Sequence, residues 1–171
     1  MLLLAVGASY ASPGVRWRRP AIFAGHVWRL CALSLAFASH TIFATDRHWT
    51  GAPNPTWGTS INWDIAVPGS TDNAVFDGTF SNQPNVGVAA IVGGLWMTGS
   101  VGQNVTLSGT TLTLQGNTIN GTSGLGILID NANAYTLTIN APLKLGAAQT
   151  WRNNSANLFT IGAGGVNTNG F

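Results

Sequence analysis

Charge is scarce in this chain, thiols are scarcer, and glutamate is missing altogether. Only 7% of the 171 residues are charged, and all five acidic residues are Asp. The single cysteine, Cys31, lies in a hydrophobic leader, so the chain that follows has no disulfide and no cysteine-based metal site. Stability there must come from burial and hydrogen bonding. The overall formal charge of +2 is misleading, because Arg16, Arg18, Arg19 and Arg29 all sit before residue 30. From Thr45 onward Arg47, Lys144 and Arg152 face Asp46, Asp64, Asp72, Asp77 and Asp130, a net charge of −2 (3 − 5). Nucleic acid is excluded as a partner, since it needs clustered Lys and Arg to replace counterions along phosphates.

No apolar run reaches the roughly 20 uninterrupted residues of a membrane span. The longest candidate, residues 16–44, is broken by Arg29 and His40. Its cationic start, apolar middle and small residues before a polar sequence have the layout of a secretion signal, here assigned to residues 1–44. Cleavage after Ala38 satisfies the small-x-small rule of "AFA", whereas cleavage after Ala44 gives a longer apolar region and is favoured. "WRLC" lacks the small residues of a lipoprotein site, and Pro20 weakens a twin-arginine reading of Arg18-Arg19. The fourteen residues before Val15 fit a start codon assigned too early. The expectation is an exported protein, secreted or displayed at the cell surface, with no membrane span in the mature chain.

Residues 45–80 are rich in turn formers and hold Trp49, Trp57 and Trp63 among Gly, Pro, Asn and Ser, a composition that disfavours regular helix. Large rings among short turns serve either as a cap over the end of a core or as a platform on which sugar rings stack. The cap is the favoured reading, with glycan stacking at Trp49, Trp57 and Trp63 as the competing one. Asp72, Asn73 and Asp77 offer oxygens, but their spacing matches no twelve-residue calcium loop and no bidentate Glu is present. Asp72 and Asn73 are expected to satisfy turn backbone, and Asp77-Gly78 to form a turn after a short strand "AVF".

Between Ser81 and Ile129 there is no charged residue, yet short runs of Val, Ile and Leu recur between Gly and Asn. That composition is not disordered, because disorder combines low hydrophobicity with high charge. Expected strands are "GVAAIV" from Gly87, "LWMT" from Leu95, "NVTLS" from Asn104, "TLTLQ" from Thr111, "LGILID" from Leu125, "YTLTIN" from Tyr135, "PLKL" from Pro142 and "NLFTIG" from Asn157. Leu112 and Leu114 alternate with Thr111 and Thr113, and Leu137 and Ile139 with Thr136 and Thr138, so one aliphatic face turns inward. Comparable blocks begin near Val86, Val105, Leu125, Leu143 and Leu158, an irregular step of about 15 to 20 residues that points to stacked coils. Asn in the turns can build hydrogen-bonded ladders along such a stack. The expectation is an all-β fold, a parallel β-helix (solenoid) over residues 81–171 with a Trp-rich N-terminal cap; a β-sandwich is the alternative.

The ordered set "WTG" at 49–51, "NWD" at 62–64, Pro68, "TDNAVFDG" at 71–78, the Leu/Thr strands and "APLKLGAAQTWRNNS" at 141–155 resembles the N-terminal region of bacterial autotransporter-associated β-strand repeat proteins. The likeness covers roughly residues 48–171. It implies a right-handed β-helix, export, and adhesive or structural work at the surface, with no catalytic residue to carry over. The Gly-rich repeat that names the family is not clear in this chain, and no C-terminal barrel or sorting tail follows, so the chain is expected to be the front of a longer protein. An open solenoid end leaves strand edges unpaired, which predicts self-association; surface glycans are the other expected partner.

Catalysis is not expected. Glycoside hydrolysis needs two carboxyl groups at a defined separation, and Asp72 and Asp77, the one close pair, are an odd offset apart and so point to opposite faces if extended. His48 is the lone histidine after Ala44 and no Ser lies in a G-x-S-x-G turn. Lys144 and Arg152 read as solvated turn positions. Neither a cofactor nor a metal is expected.

Overall fold

A computed structural model describes residues 44–131 and 135–171. Arg18-Arg19, Cys31, Ala38 and the rest of the expected secretion signal before Ala44 lie outside the described residues. Short apolar-Thr-apolar runs, each stopped by Gly, Asn or Pro, cannot grow into long strands or helices. They fold instead as a β-solenoid of about 5 turns.

Fourteen strands are present among the described residues: β1 (Asp46–His48), β2 (Asn73–Gly78), β3 (Asn85–Val86), β4 (Ala90–Val92), β5 (Gly94–Val101), β6 (Val105–Gly109), β7 (Leu112–Leu114), β8 (Asn117–Ile119), β9 (Thr122–Ile129), β10 (Leu137–Ile139), β11 (Leu143–Leu145), β12 (Thr150–Asn153), β13 (Phe159–Ile161) and β14 (Val166–Asn167). They make three walls. The first runs β1-β2-β5-β9-β12, the second β3-β6-β10-β13 and the third β4-β7-β11-β14. Pairing within each wall is parallel, and only β8 pairs antiparallel, with β9. Three walls paired in parallel, with one β8–β9 hairpin added to the first, rule out the sandwich.

Register puts like on like. In the second wall Val105, Leu137 and Phe159 stack, as do Leu107, Ile139 and Ile161, with Thr106, Thr138 and Thr160 between them on the outer side. In the third wall Leu112 stacks between Ala90 and Leu143 while Thr113 lies between Ile91 and Lys144. Val105, Leu107, Leu112, Leu114, Leu137 and Ile139 are buried and share one core with Ala74, Phe76, Leu95, Met97, Ile127 and Ile129 of the first wall. The expected inward aliphatic face and outward Thr face are therefore real.

The expected step of about 15 to 20 residues was too short. Stacked partners lie 22 residues apart from Ala90 to Leu112 and 31 apart from Leu112 to Leu143. Val86 and Val105 belong to strands of the second wall, Leu125 to the first, and Leu143 to the third. The same apolar-Thr-apolar code serves β6, β10 and β13 of the second wall and β7 of the third, so the sequence hides which wall such a strand joins. Within residues 45–80, β1 and β2 are strands of the first wall.

Glycine is required at one close crossing. Gly109 ends β6 with φ +105°, and a Cβ there would lie 2.4 Å from the carbonyl oxygen of Val86 on the coil before it. Gly alone turns this corner without a clash.

Candidate functional site

The three tryptophans expected to cap the core or to stack sugars do the first. Trp49, Trp57 and Trp63 are 2%, 2% and 3% exposed. Trp63 meets Trp49 and Trp57 edge to face, at centroid separations of 5.0 and 4.7 Å, and Trp49 lies 6.3 Å from Trp57, near parallel. The Trp63 indole N–H donates to the Trp57 carbonyl and that of Trp49 to the Asn82 carbonyl, both at 2.8 Å. An antiparallel bridge between Trp49 and Trp63 and a parallel one between Thr56 and Asn85 tie this loop to the solenoid. The glycan platform at Trp49, Trp57 and Trp63 is thereby corrected. Their ring faces are spent on each other and on the end of the core, since so much apolar area gains more from burial than from exposure.

Other sequence candidates are dispersed. Asp72 accepts from the Gly69 N–H at 2.9 Å and lies 3.8 Å from Arg47, so it serves the turn as expected. Asn73 is corrected: it is the buried first residue of β2, not a turn residue. Its Nδ2 donates to Asp46 Oδ1 (2.8 Å) and to the Thr118 carbonyl (2.9 Å), and its Oδ1 accepts from Asn117 (3.1 Å). Asp77 and Gly78 belong to β2 rather than to a following turn. Asp77 faces His48, with Oδ2 2.8 Å from Nδ1, while the His48 backbone N–H donates to Asp64. Asp72 and Asp77 hold different partners and do not converge. Lys144 and Arg152 stand in strands β11 and β12, not in turns. Among the described residues no group of three or more His, Cys, Asp or Glu is placed to hold a metal, and no helix is long and apolar enough to cross a membrane.

What the structure does assemble lies on the outer side of the first wall. Along β5, Leu95 and Met97 enter the core, so Trp96 between them points outward. The long coil supplies extra residues after β7, and these fold back as β8, an Asn120-Gly121 turn with φ +46° and +73°, and the start of β9. Positive φ at both central residues marks the two-residue hairpin turn for which Asn-Gly is suited. Ile119 closes a second apolar cluster on this outer side with Leu125 and Leu128, and Trp96 packs against it.

Two glycines admit the hairpin. A Cβ on Gly93 would lie 2.4 Å from Asn117 Nδ2, and one on Gly94 2.6 Å from Ile119 Cδ1. Between this hairpin and β1 runs a groove of about 470 Å³ lined by Ala44, Asp46, Trp96, Asn117, Thr118, Asn120 and Gly121. The Trp96 indole N–H donates to Asp130 Oδ2 at 2.9 Å, which fixes the ring.

Sequence reasoning placed Trp96 correctly in a strand but gave it no role. The usable signals were a tryptophan at an outward position between two core residues, and the Asn-Gly pair of a hairpin. No family model, curated protein or solved structure matches this chain.

Proposed function

We propose that this chain is an exported structural or adhesive surface scaffold, the N-terminal part of a longer autotransporter-like β-repeat protein, working without catalysis. The observation that carries this reading is the register: successive coils stack Thr106, Thr138 and Thr160 on the outside of the second wall and apolar on apolar residues on the inside of the second and third. Such a stack is stiff because each coil is hydrogen-bonded to its neighbours along three walls. Its polar exterior repeats weak contacts along one axis, where repetition multiplies avidity without any single strong site. The resemblance of residues 48–171 to autotransporter-associated repeat proteins points the same way.

The test is to read the genomic DNA in frame beyond the codon for Phe171 and to probe intact cells with antibodies against residues 81–171. Further Gly-rich β-repeats ending in a barrel or sorting tail, with labelling of unbroken cells, are the expected result. An immediate stop codon together with labelling only after lysis would overturn the reading.

A further inference from the structure

We propose that the groove between β1 and the β8–β9 hairpin binds a neutral pyranose unit of a glycan, with Trp96 as its stacking platform. Asp46, Asn117 and Asn120 are its hydrogen-bonding rim. The proposal deepens the adhesive reading and rests on it, since it gives adhesion a ligand class and a place.

A pyranose ring has an apolar C–H face and a rim of hydroxyls, so its site must offer a flat aromatic surface edged by acceptors and donors. The groove has both. Trp96 is half-buried, packed against the cluster of Ile119, Leu125 and Leu128, and held through Nε1 by Asp130. A ring fixed before the ligand arrives loses little rotamer freedom on binding.

The rim keeps unused capacity. Asp46 spends Oδ1 on Asn73, and its Oδ2 has no partner among the described residues. Asn117 spends Nδ2 on the Thr71 carbonyl and on Asn73, which leaves its Oδ1 as an acceptor. The Asn120 side chain makes no hydrogen bond among the described residues, although its backbone is fixed by the turn.

Charge and size narrow the class further. Among the described residues Asp46 is the one charged side chain that lines the groove, and its carboxylate disfavours phosphate, uronic and sialic groups at that edge by repulsion. A volume of about 470 Å³ lies within the range of roughly 300 to 1,000 Å³ typical of small-ligand sites. One sugar unit and part of a second fit such a space.

The experiment uses protein labelled with ¹⁵N at the tryptophan indoles and titrated with neutral trisaccharides built from glucose, galactose, mannose or N-acetylglucosamine. With at least one of them the Trp96 indole resonance, identified by its loss in Trp96→Phe, should shift saturably with a Kd of about 1 mM. The resonances of Trp49, Trp57 and Trp63 should stay in place. Trp96→Ala should weaken binding at least about tenfold. Asn120→Gly keeps the positive φ and the fold, and should weaken binding about threefold at unchanged far-UV circular dichroism.

No saturable shift with any of the four, or undiminished affinity in both Trp96→Ala and Asn120→Gly, would overturn the proposal. Beads coated with the protein separate the two readings. Adhesion to cells without any saccharide shift at Trp96 overturns the groove alone, whereas saccharide binding by beads that never adhere overturns the adhesive reading alone.

Discussion

Asn73 carries more of the first wall than its size suggests. It is 1% exposed, and its amide joins Asp46 on one coil to the Thr118 carbonyl and Asn117 of the hairpin. A buried amide with all these partners is stable, and removing it strands the others. Asn73→Ala should lower stability by about 1–3 kcal/mol, measured as a shift in the urea midpoint at unchanged slope. Asn73→Asp should cost at least as much, because Asp46 and the Thr118 carbonyl would face a carboxylate instead of a donor. Retention of the wild-type midpoint by Asn73→Ala would show that this ladder is ornamental. Gly93 and Gly94 work with Asn73 at the same corner, since a side chain at either would push the hairpin off the wall.

At the scale of elements, the cap and the hairpin do different work with the same material. The cap covers the N-terminal end of the core with three interlocked indoles, whose apolar area is removed from water. Trp63→Ala would leave a cavity between Trp49 and Trp57 and release the Trp57 carbonyl, at a cost of about 3–5 kcal/mol. Chemical denaturation read by circular dichroism checks it, and a loss below about 1 kcal/mol would contradict the central place of Trp63 in the cap. The β8–β9 hairpin instead lies on the outside of the wall, where Ile119, Leu125 and Leu128 form their own cluster. It is an addition to one coil, and it is also what walls the groove over Trp96.

Across the whole molecule, stability runs from coil to coil. Leu112 is fully buried and stacked between Ala90 and Leu143, so Leu112→Asp puts an unpaired carboxylate in the middle of the third wall. Burying such a charge costs more than a marginal fold retains, and the variant should unfold or aggregate. Size-exclusion chromatography and thermal melting check this, and wild-type behaviour would refute the inward placement of Leu112. Thr113→Asp, one residue on and outside, should be tolerated, with a midpoint within about 0.5 kcal/mol of wild type.

Residue order alone determined that the chain is β-rich, that Leu and Thr divide inside from outside, and that a tryptophan loop precedes the stack. Each of these follows from local chemistry: period-2 alternation, turn residues at strand ends, and aromatic area that must be covered. All eight strands expected after residue 86 are present, from "GVAAIV" to "NLFTIG". The order of walls was not legible, because strands of the second and third walls share one code and coils differ in length. Neither were β1, β3, β8, β12 and β14, most of which are two or three residues long and held by pairing rather than by propensity. Only the tertiary structure decided that Trp49, Trp57 and Trp63 turn inward while Trp96 faces a groove. Every indole gains from burial, but whether neighbours are there to cover it is decided by the coil stacked beside it and the hairpin folded over it.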